Sequence, residues 1–254
     1  MLVGIDHIVI AVEDLDEASA ELEARFGLAV RGGGRHPRLG TENRLTWLGD
    51  SYIELVTVFD RELAEASWLG RPTLDSLVRD GGLVTWAVAS DSIVDDVAGL
   101  RAAGSDLGEP MAGERVRPDG RVVRWQLSLP GRIGPTEPPF LIEHDTTAAE
   151  WSPDERAERA AEAHPLGGPV RLEVLELPMS NVPAAIQSFG RTVGLRFRPS
   201  LAGAGRRDAS VGAQIVRLRP ARRDLLPAIE LSSPVGDGRE AELFGVRWRI
   251  RRSG

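Results

Sequence analysis

The sequence predicts an α+β fold built from tandem units of one strand, one helix and three further strands, written βαβββ. Three observations predict it. A strand and helix pattern near the N-terminus recurs twice along the 254 residues. Each predicted helix begins at Asp, Ser or Asn, and each copy contains a short strand in which glutamate follows isoleucine. We therefore expect two paired units and a third, degenerate unit at the C-terminus.

The first unit begins with the segment IDHIVIAV, which is rich in β-branched residues and apolar on both faces, as in a buried strand. Asp14, with Glu17 three residues later, is typical of a helix N-terminus, and Gly27 is typical of a helix end. The runs NRLTWLG and SYIELVTV follow as short strands between turn residues. We interpret this first unit as βαβββ.

The second and third units appear when the first is shifted along the chain. A shift of 78 residues places VTWAVASDSIVDDVAGL beneath it, with Thr85 under His7 and Ser92 under Asp14. A shift of 167 aligns LEVLELPMSNVPAAIQSFGRTVGL, with Asn181 under Asp14 and Val174 under His7. All three cap positions carry side chains that accept hydrogen bonds from first-turn amides.

The strands YIELV, FLIEH and AIELS, with Glu54, Glu143 and Glu230, are interpreted as the last strand of each copy. A short helix from Ser152 connects the second copy to the third, and His164 beyond it is expected to be exposed and without function. The predicted division is residues 1–148 for the paired units, 149–168 for the connecting helix and linker, and 169–254 for the third unit. The third unit should pack on the other two or form a homodimer with its counterpart.

Composition excludes several functions. The net charge is −7 with dispersed acidic residues, which argues against a nucleic-acid partner. The chain has no cysteine, no apolar run of membrane-spanning length and no signal peptide, so we expect a cytoplasmic location and no membrane partner. All 31 basic residues are arginine, which excludes Schiff-base lysines and phosphate-loop nucleotidases. Carboxylates, hydroxyls, arginines and four histidines remain for chemistry.

Strand periodicity identifies polar residues that should share a face. Tyr52 and Glu54 point the same way, so Glu54 must face a polar cleft, bind a ligand or be costly to bury. Glu143 lies in the same kind of apolar strand, and His144 should point away from the cleft unless a bulge intervenes. His7 interrupts an apolar strand, and both a hydrogen-bonded core histidine and a site residue fit this pattern.

A tandem βαβββ unit with a histidine in its first strand and a glutamate in its last resembles the vicinal oxygen chelate superfamily, which includes glyoxalase I, extradiol dioxygenases and bleomycin-resistance proteins. The stretch GGGRHPRLGTENRLTWLGDSYIELV is similar to the glyoxalase-like domain proteins of that superfamily. The resemblance covers residues 3 to about 145 well and the third copy weakly. It implies sheets that curl around a shared cleft, with metal ligands at His7, Glu54, Thr85 and Glu143. Thr85 departs from the metalloenzyme pattern, because threonine is a poor ligand for a divalent ion.

The candidate site follows from these positions. A metal would be held by His7, Glu54 and Glu143, since two carboxylates brought together need either a cation or a shared proton. The catalytic candidates are Glu143, Glu54 and His36. The segment RHPRLGTEN is interpreted as a loop that supplies a base and hydrogen-bonding groups, or alternatively as turn chemistry with an exposed histidine. The substrate-binding candidates are Thr41, Asn43, Thr85, Tyr52 and Trp125.

Two functions remain open at this point. One is a metal-assisted lyase, isomerase or dioxygenase-type enzyme acting on a small oxygen-rich metabolite, with Mn, Fe, Ni, Co, Zn or Mg as the divalent ion. The other is a metal-free protein that binds or sequesters a small molecule, as the bleomycin-resistance relatives do. His7 and the paired glutamates favour the enzyme, whereas Thr85 favours the binding protein.

Overall fold

The computed structural model describes residues 1–161, 163–221 and 225–253, which form a closed barrel and a separate open sheet. Two βαβββ units make the barrel. The first comprises β1 (Leu2–Ala11), α1 (Leu15–Phe26), β2 (Arg31–His36), β3 (Thr41–Leu48) and β4 (Ser51–Val58). After two short helices, α2 (Arg61–Glu65) and α3 (Gly70–Leu77), the second comprises β5 (Gly82–Ser90), α4 (Ile93–Ala102), β6 (Met111–Val116), β7 (Val122–Ser128) and β8 (Phe140–His144).

The barrel strands follow the order β1-β4-β3-β2-β6-β7-β8-β5, so each unit supplies one half. The halves join where β1 pairs with β5 and where β2 meets β6 at the pair Arg35 and Val116. Gly34 allows the second junction, because a Cβ at this residue would lie 2.1 Å from the Val116 carbonyl oxygen. The predicted α+β fold with curled sheets is confirmed.

Two of the three predicted helix caps form as the sequence indicates. The Asp14 carboxylate accepts hydrogen bonds from the amides of Asp16 and Glu17, and Asn181 accepts one from Ala184. Ser92 stands at the N-cap of α4, but its side chain makes no capping bond to the helix backbone. These caps fix where each helix leaves its strand.

The C-terminal sheet differs from the predicted third unit in one respect. After α5 (Pro153–Ala161), one βαβββ unit is present, and three further strands follow it. Glu230 therefore does not lie in the last strand of the third unit. Its strand pairs antiparallel with the first strand of that unit, as β5 pairs with β1. The strands and helix are β9 (Arg171–Met179), α6 (Val182–Val193), β10 (Arg198–Pro199), β11 (Arg207–Val211), β12 (Gln214–Pro220), β13 (Ala228–Ser233), β14 (Glu240–Leu243) and β15 (Val246–Arg252).

The open sheet packs against the barrel through one hydrophobic core. This core combines outward-facing residues of β1 and β5 with side chains of α1, α4, α6 and the open sheet. The rings of Trp86 and Phe189 lie 6.2 Å apart, and those of Phe26 and Trp248 lie 6.0 Å apart. Of the two arrangements expected for the third unit, the chain therefore shows the one in which it packs on the first two.

The linker after α5 is held by a histidine. His164 was expected to be exposed, but it is only 9% exposed. Its Nδ1 accepts a hydrogen bond from the Ala29 amide at 3.0 Å, and its Nε2 lies 2.8 Å from the Trp47 carbonyl oxygen, to which it donates. The side chain thus fixes the linker to the first unit.

A glutamine joins the open sheet to the barrel. Gln214, at the start of β12, accepts a hydrogen bond from the Ile5 amide at 3.2 Å and donates one to Ser51 Oγ at 3.1 Å. The preceding turn approaches β1 closely at Gly212, which has φ +56. A Cβ there would lie 2.0 Å from the Val3 carbonyl oxygen, so the contact requires glycine.

We expect Gly212→Ala to lower the free energy of unfolding more than Gly49→Ala does. Gly49 begins the matching hairpin turn between β3 and β4 and has φ +74, and a Cβ added to it would meet no atom within 4 Å. Both variants incur the left-handed backbone cost of about 1–2 kcal/mol. Only Gly212→Ala also forces the turn away from β1, at about 1–3 kcal/mol more. Urea unfolding measures both, and equal losses would contradict the close packing of the sheet on the barrel.

Candidate functional site

A bulge in β1 brings two adjacent polar residues into the barrel. The register between β1 and β5 runs from Ile5 with Val88 to His7 with Ala87, so Asp6 is one extra residue in β1. Asp6 is 2% exposed and His7 is 3% exposed. A regular strand would place neighbouring side chains on opposite faces, and the bulge removes that restriction.

The Asp6 carboxylate binds two histidines. Its Oδ1 lies 2.6 Å from His7 Nδ1, and both of its oxygens lie 3.1 Å from His144 Nε2. Burial alone would raise the pKa of Asp6, but the charges and hydrogen bonds of His144 and His7 outweigh it and hold the pKa well below its usual range. The carboxylate therefore stays ionised and orients both rings.

Glu54 faces His7 across the same cavity. Its Oε2 lies 3.5 Å from His7 Nε2, and its Oε1 accepts a hydrogen bond from Asn43 Nδ2 at 2.8 Å. Asn43 is itself oriented, because its Oδ1 accepts the Gly34 amide at 3.0 Å. His36 Nε2 lies 4.0 Å from Glu54 Oε1. One carboxylate thus lies among two imidazoles and an amide.

The predicted loop residues divide between the cavity and its wall. His36 ends β2 and Thr41 begins β3, so the residues that the sequence assigned to a loop lie in a tight hairpin. His36 and Asn43 line the cavity, whereas Thr41 is fully buried behind His36, with its Oγ1 3.0 Å from the Nδ1 of that ring. Burial lowers the pKa of His36 to about 4, and the charge of Glu54 offsets this only in part. His36 is therefore neutral at pH 7.

The second unit does not repeat this polar arrangement. His7 pairs with Tyr52 in the first unit, and Ala87 pairs with Phe140 in the second. The reciprocal pairs His7 with Ala87 and Val9 with Thr85 match His7 to Thr85 and Val9 to Ala87. Because Glu54 pairs with Val9, its counterpart is Phe140, which pairs with Ala87. The aligned pair of glutamates does not share a face, because Glu143 lies three residues beyond Phe140 and an odd offset reverses the face of a strand residue.

The structure places three of the residues singled out in the sequence differently from expectation. Glu143 does not face the cavity, because its Oε2 accepts the Ile93 amide at 2.7 Å and so caps α4 in place of Ser92. His144, expected to point away, lines the cavity. Thr85 is fully buried outside the cavity lining, and its hydroxyl has no hydrogen-bond partner among the described residues.

The residues present do not fit the predicted metal site. Its three ligands were His7, Glu54 and Glu143, and Glu143 faces the other side of β8. Across residues 1–161, 163–221 and 225–253, no group of three or more His, Asp or Glu side chains is arranged to hold a metal ion.

The rest of the cavity is mostly aromatic. Tyr52 stacks on His7 with the ring centroids 4.6 Å apart, and Trp125 lies edge-on to His36 at 6.0 Å. Both are predicted site residues that line the cavity. Burial raises the pKa of Tyr52 well above its ordinary value, so the phenol stays protonated. The space left inside the cavity is small, about 30 Å³. The other aromatic lining residues are Trp47, Trp68, Phe140 and Trp151.

Several lining residues were missed by sequence reasoning. His144 enters through the actual face of β8, whereas Asp6 lies behind His7 because of the bulge and contacts the lining from outside it. Arg115 lies on β6, and Glu150 and Trp151 lie in the segment that follows β8. The adjacent polar pair Asp6 and His7 in an otherwise apolar strand was a usable signal, because buried polar groups need partners. The other residues have no local pattern that marks them.

Comparisons with known proteins agree with this fold. The profile described as "Glyoxalase-like domain" matches residues 5–199. The crystal structure of a hypothetical protein from Staphylococcus aureus is 16% identical and covers 98% of this chain and 99% of its own, with a TM-score of 0.79. A variant of Streptomyces coelicolor methylmalonyl-CoA epimerase is 22% identical over 56% of this chain and 98% of its own, with a TM-score of 0.43. No curated protein sequence matches the chain.

The buried histidine at the end of β2 predicts a pH dependence of stability. His36 has a pKa of about 4 in the folded chain, against about 6.5 when unfolded, so the unfolded chain binds the extra proton between these values. The contribution of His36 to the free energy of unfolding is complete above pH 6.5 and is lost as the pH falls through 4. We expect His36 to account for about 2–3 kcal/mol of the stability lost between pH 7 and pH 4.5.

The variant His36→Gln should remove this part of the pH dependence. Urea unfolding at both pH values measures it, and comparing the pH 7 to pH 4.5 difference within each protein cancels the variant's own cost at neutral pH. An unchanged difference in His36→Gln would show that this histidine is not the titrating group.

Proposed function

This chain belongs to the glyoxalase-like domain family, and we propose that it binds a small oxygen-rich metabolite inside the barrel and transfers a proton on it. Glu54 is the proposed base and His7 the proposed acid. The observation that carries the proposal is the linked series of Asp6, His7 and Glu54, in which His7 Nε2 lies 3.5 Å from Glu54 Oε2. The series ends at a cavity whose polar lining residues are mostly buried.

The geometry supports proton transfer next to a carbonyl group. Asn43 holds one oxygen of Glu54, so the other oxygen is directed toward the cavity beside His7. Glu54 would take the proton from the carbon beside the carbonyl, and His7 would give a proton to the carbonyl oxygen, forming an enol. The ionised Asp6 accepts a hydrogen bond from His7 Nδ1 and so fixes the orientation of its ring. Neutral His36 and the aromatic walls would contact the substrate.

A metal is not part of this proposal. The predicted donor set is incomplete because Glu143 caps α4, so no step is assigned to a divalent ion. His7 and Glu54, which belong to that donor set, are assigned to proton transfer in this proposal. We therefore expect the reaction to proceed at an unchanged rate in the presence of a chelator such as EDTA, and a rate that needs added Mn or Ni would contradict this part of the proposal.

Binding without chemistry is the second candidate. It is favoured by the aromatic cavity lining, in which Trp47, Trp68 and Trp125 present flat apolar surfaces, as expected in a protein that sequesters a small molecule. The two candidates differ in one property, because only the first moves a proton. A ligand that binds in the barrel but never exchanges a proton would support sequestration.

The cellular setting is less closely tied to the site. None of the helices in the described parts of the chain is long and apolar enough to cross a membrane. A cytoplasmic location, the lack of a nucleic-acid partner and a homodimer stay predictions from the sequence. The proposed partner is a small molecule, because the polar groups of the site converge inside the barrel rather than on an outer surface.

We expect the protein to accelerate exchange of carbon-bound protons for deuterium in small carbonyl compounds, and Glu54→Gln to slow it by about 100-fold or more. The substitution keeps the size of the side chain and removes its basicity. Proton NMR in D₂O, with pyruvate, oxaloacetate and hydroxyacetone as test compounds, measures the loss of the exchanging signals.

Glu143→Gln is the matched control for this experiment. It makes the same chemical change in the aligned strand of the second unit, at a carboxylate that faces α4. Its exchange rate should equal that of the wild type. Loss of exchange in Glu143→Gln with retention in Glu54→Gln would reverse the proposed assignment.

A further inference from the structure

Part of the cavity is filled by the chain itself. The segment 145–152 follows β8, and two of its residues, Glu150 and Trp151, line the cavity. The Trp151 ring is stacked on His144, with centroids 3.5 Å apart and an angle of 9° between the planes. Glu150 is 5% exposed and Trp151 is 7% exposed. These side chains explain why so little free volume remains beside Glu54.

A buried arginine faces this segment with unused hydrogen-bonding capacity. Arg115, on β6, is 4% exposed and lines the cavity. Its Nη2 donates to Glu150 Oε2, while its Nη1 has no hydrogen-bond partner in the described structure. Buried donors are nearly always satisfied, and a guanidinium group can hold a carboxylate through two parallel bonds. The unpaired donor therefore points to a ligand that bears a negative charge.

We propose that Arg115 is the anchor for a carboxylate group of the ligand, and that Glu150 and Trp151 hold the ligand's place until it displaces them. The stacked Trp151 ring marks where a flat part of the ligand would lie on His144. The inference rests on the proposed function for the location of the site in the barrel, and it adds the substrate class, a small carboxylate with a planar group.

The segment can leave without breaking the barrel. Residues 145–152 contain no helix or strand, so their displacement does not disrupt a strand pairing. Glu150 has φ +72, a left-handed conformation that is uncommon for a residue other than glycine. Arg117 Nη1 also donates to Glu150 Oε1 at 3.0 Å, and Arg159 lies over the Trp151 ring at 5.1 Å. These contacts hold the segment against the cavity. A carboxylate bound to Arg115 would replace the contact between Arg115 and Glu150.

This arrangement predicts opposite effects for the two partners of one ion pair. Glu150→Gln removes the competing charge, so an added carboxylate should bind more tightly, by about tenfold or more. Arg115→Gln removes the anchor, so binding should fall below detection. An ion pair that only stabilises the fold would give changes of the same sign, or none, because each substitution would break the same contact.

Calorimetric titration with benzoate tests the proposal, with benzamide as the neutral compound of the same shape. Glu150→Gln should bind benzoate more tightly than the wild type does, and neither protein should bind benzamide comparably. Glu114→Gln changes the net charge by the same amount at a residue of β6 whose side chain is 37% exposed, and it should match the wild type. A change in tryptophan fluorescence that is absent from Trp151→Phe gives an independent readout of Trp151 displacement.

The double variant Arg115→Gln with Glu150→Gln covers the case in which Arg115→Gln alone fails to fold. It removes both charges of the ion pair between Arg115 and Glu150, so neither charge is left without the other. It should not bind benzoate. Equal benzoate affinity in the wild type and Glu150→Gln, or retained binding in the double variant, would overturn the proposal. Benzoate has no exchangeable proton beside a ketone or aldehyde, so its binding is independent of proton transfer. Failure of deuterium exchange with intact benzoate binding would therefore remove only the proposed reaction.

Discussion

The barrel interior depends on one extra residue in β1, because the bulge at Asp6 places a carboxylate directly behind His7. A buried carboxylate needs partners, and Asp6 has them in His7 and His144, one from each βαβββ unit. The shared carboxylate thus joins the two halves of the barrel through a polar contact. It also leaves His7 Nε2 directed at Glu54 rather than at the barrel wall.

The open sheet supports this bulge from outside. The Ile5 amide, next to the bulged residue, donates to Gln214 at the start of β12, and Gln214 also donates to Ser51 on β4. The two strands that carry His7 and Glu54 are therefore fixed by the same side chain of the C-terminal sheet. This gives the third unit a structural connection to the site, although it contributes no residue to the cavity lining in the described parts of the chain.

The barrel has twofold topology but one-sided chemistry. The first unit supplies His7, Glu54 and Asn43, whereas the second has Thr85 and Phe140 at the positions equivalent to His7 and Glu54. The second unit and its following segment supply Arg115, His144 and the two place-holding side chains. A ligand held by its carboxylate at one half would then present its reacting carbon to the other.

The fold could be predicted because local signals agree with it. Asp14 and Asn181 cap helices where the sequence places them, since capping depends on a few neighbouring residues. The site could be predicted only in the first unit. Glu143 differs from expectation because an odd offset in β8 reverses its face. Asp6 lies behind His7 through a bulge, and Arg115 enters the cavity through a long-range pairing; no single-strand pattern encodes either.

The most direct test of the central contact is a long-range ¹⁵N–¹H correlation spectrum of the histidine rings in the wild type and in Asp6→Asn. We expect a proton on His7 Nδ1 in the wild type, and shifted ring signals of both His7 and His144 in Asp6→Asn, since both bind this carboxylate. His164 should keep its signals, because its partners are Ala29 and Trp47. A wild-type His7 protonated only on Nε2, or His7 and His144 signals that ignore the substitution, would contradict a site organised by Asp6.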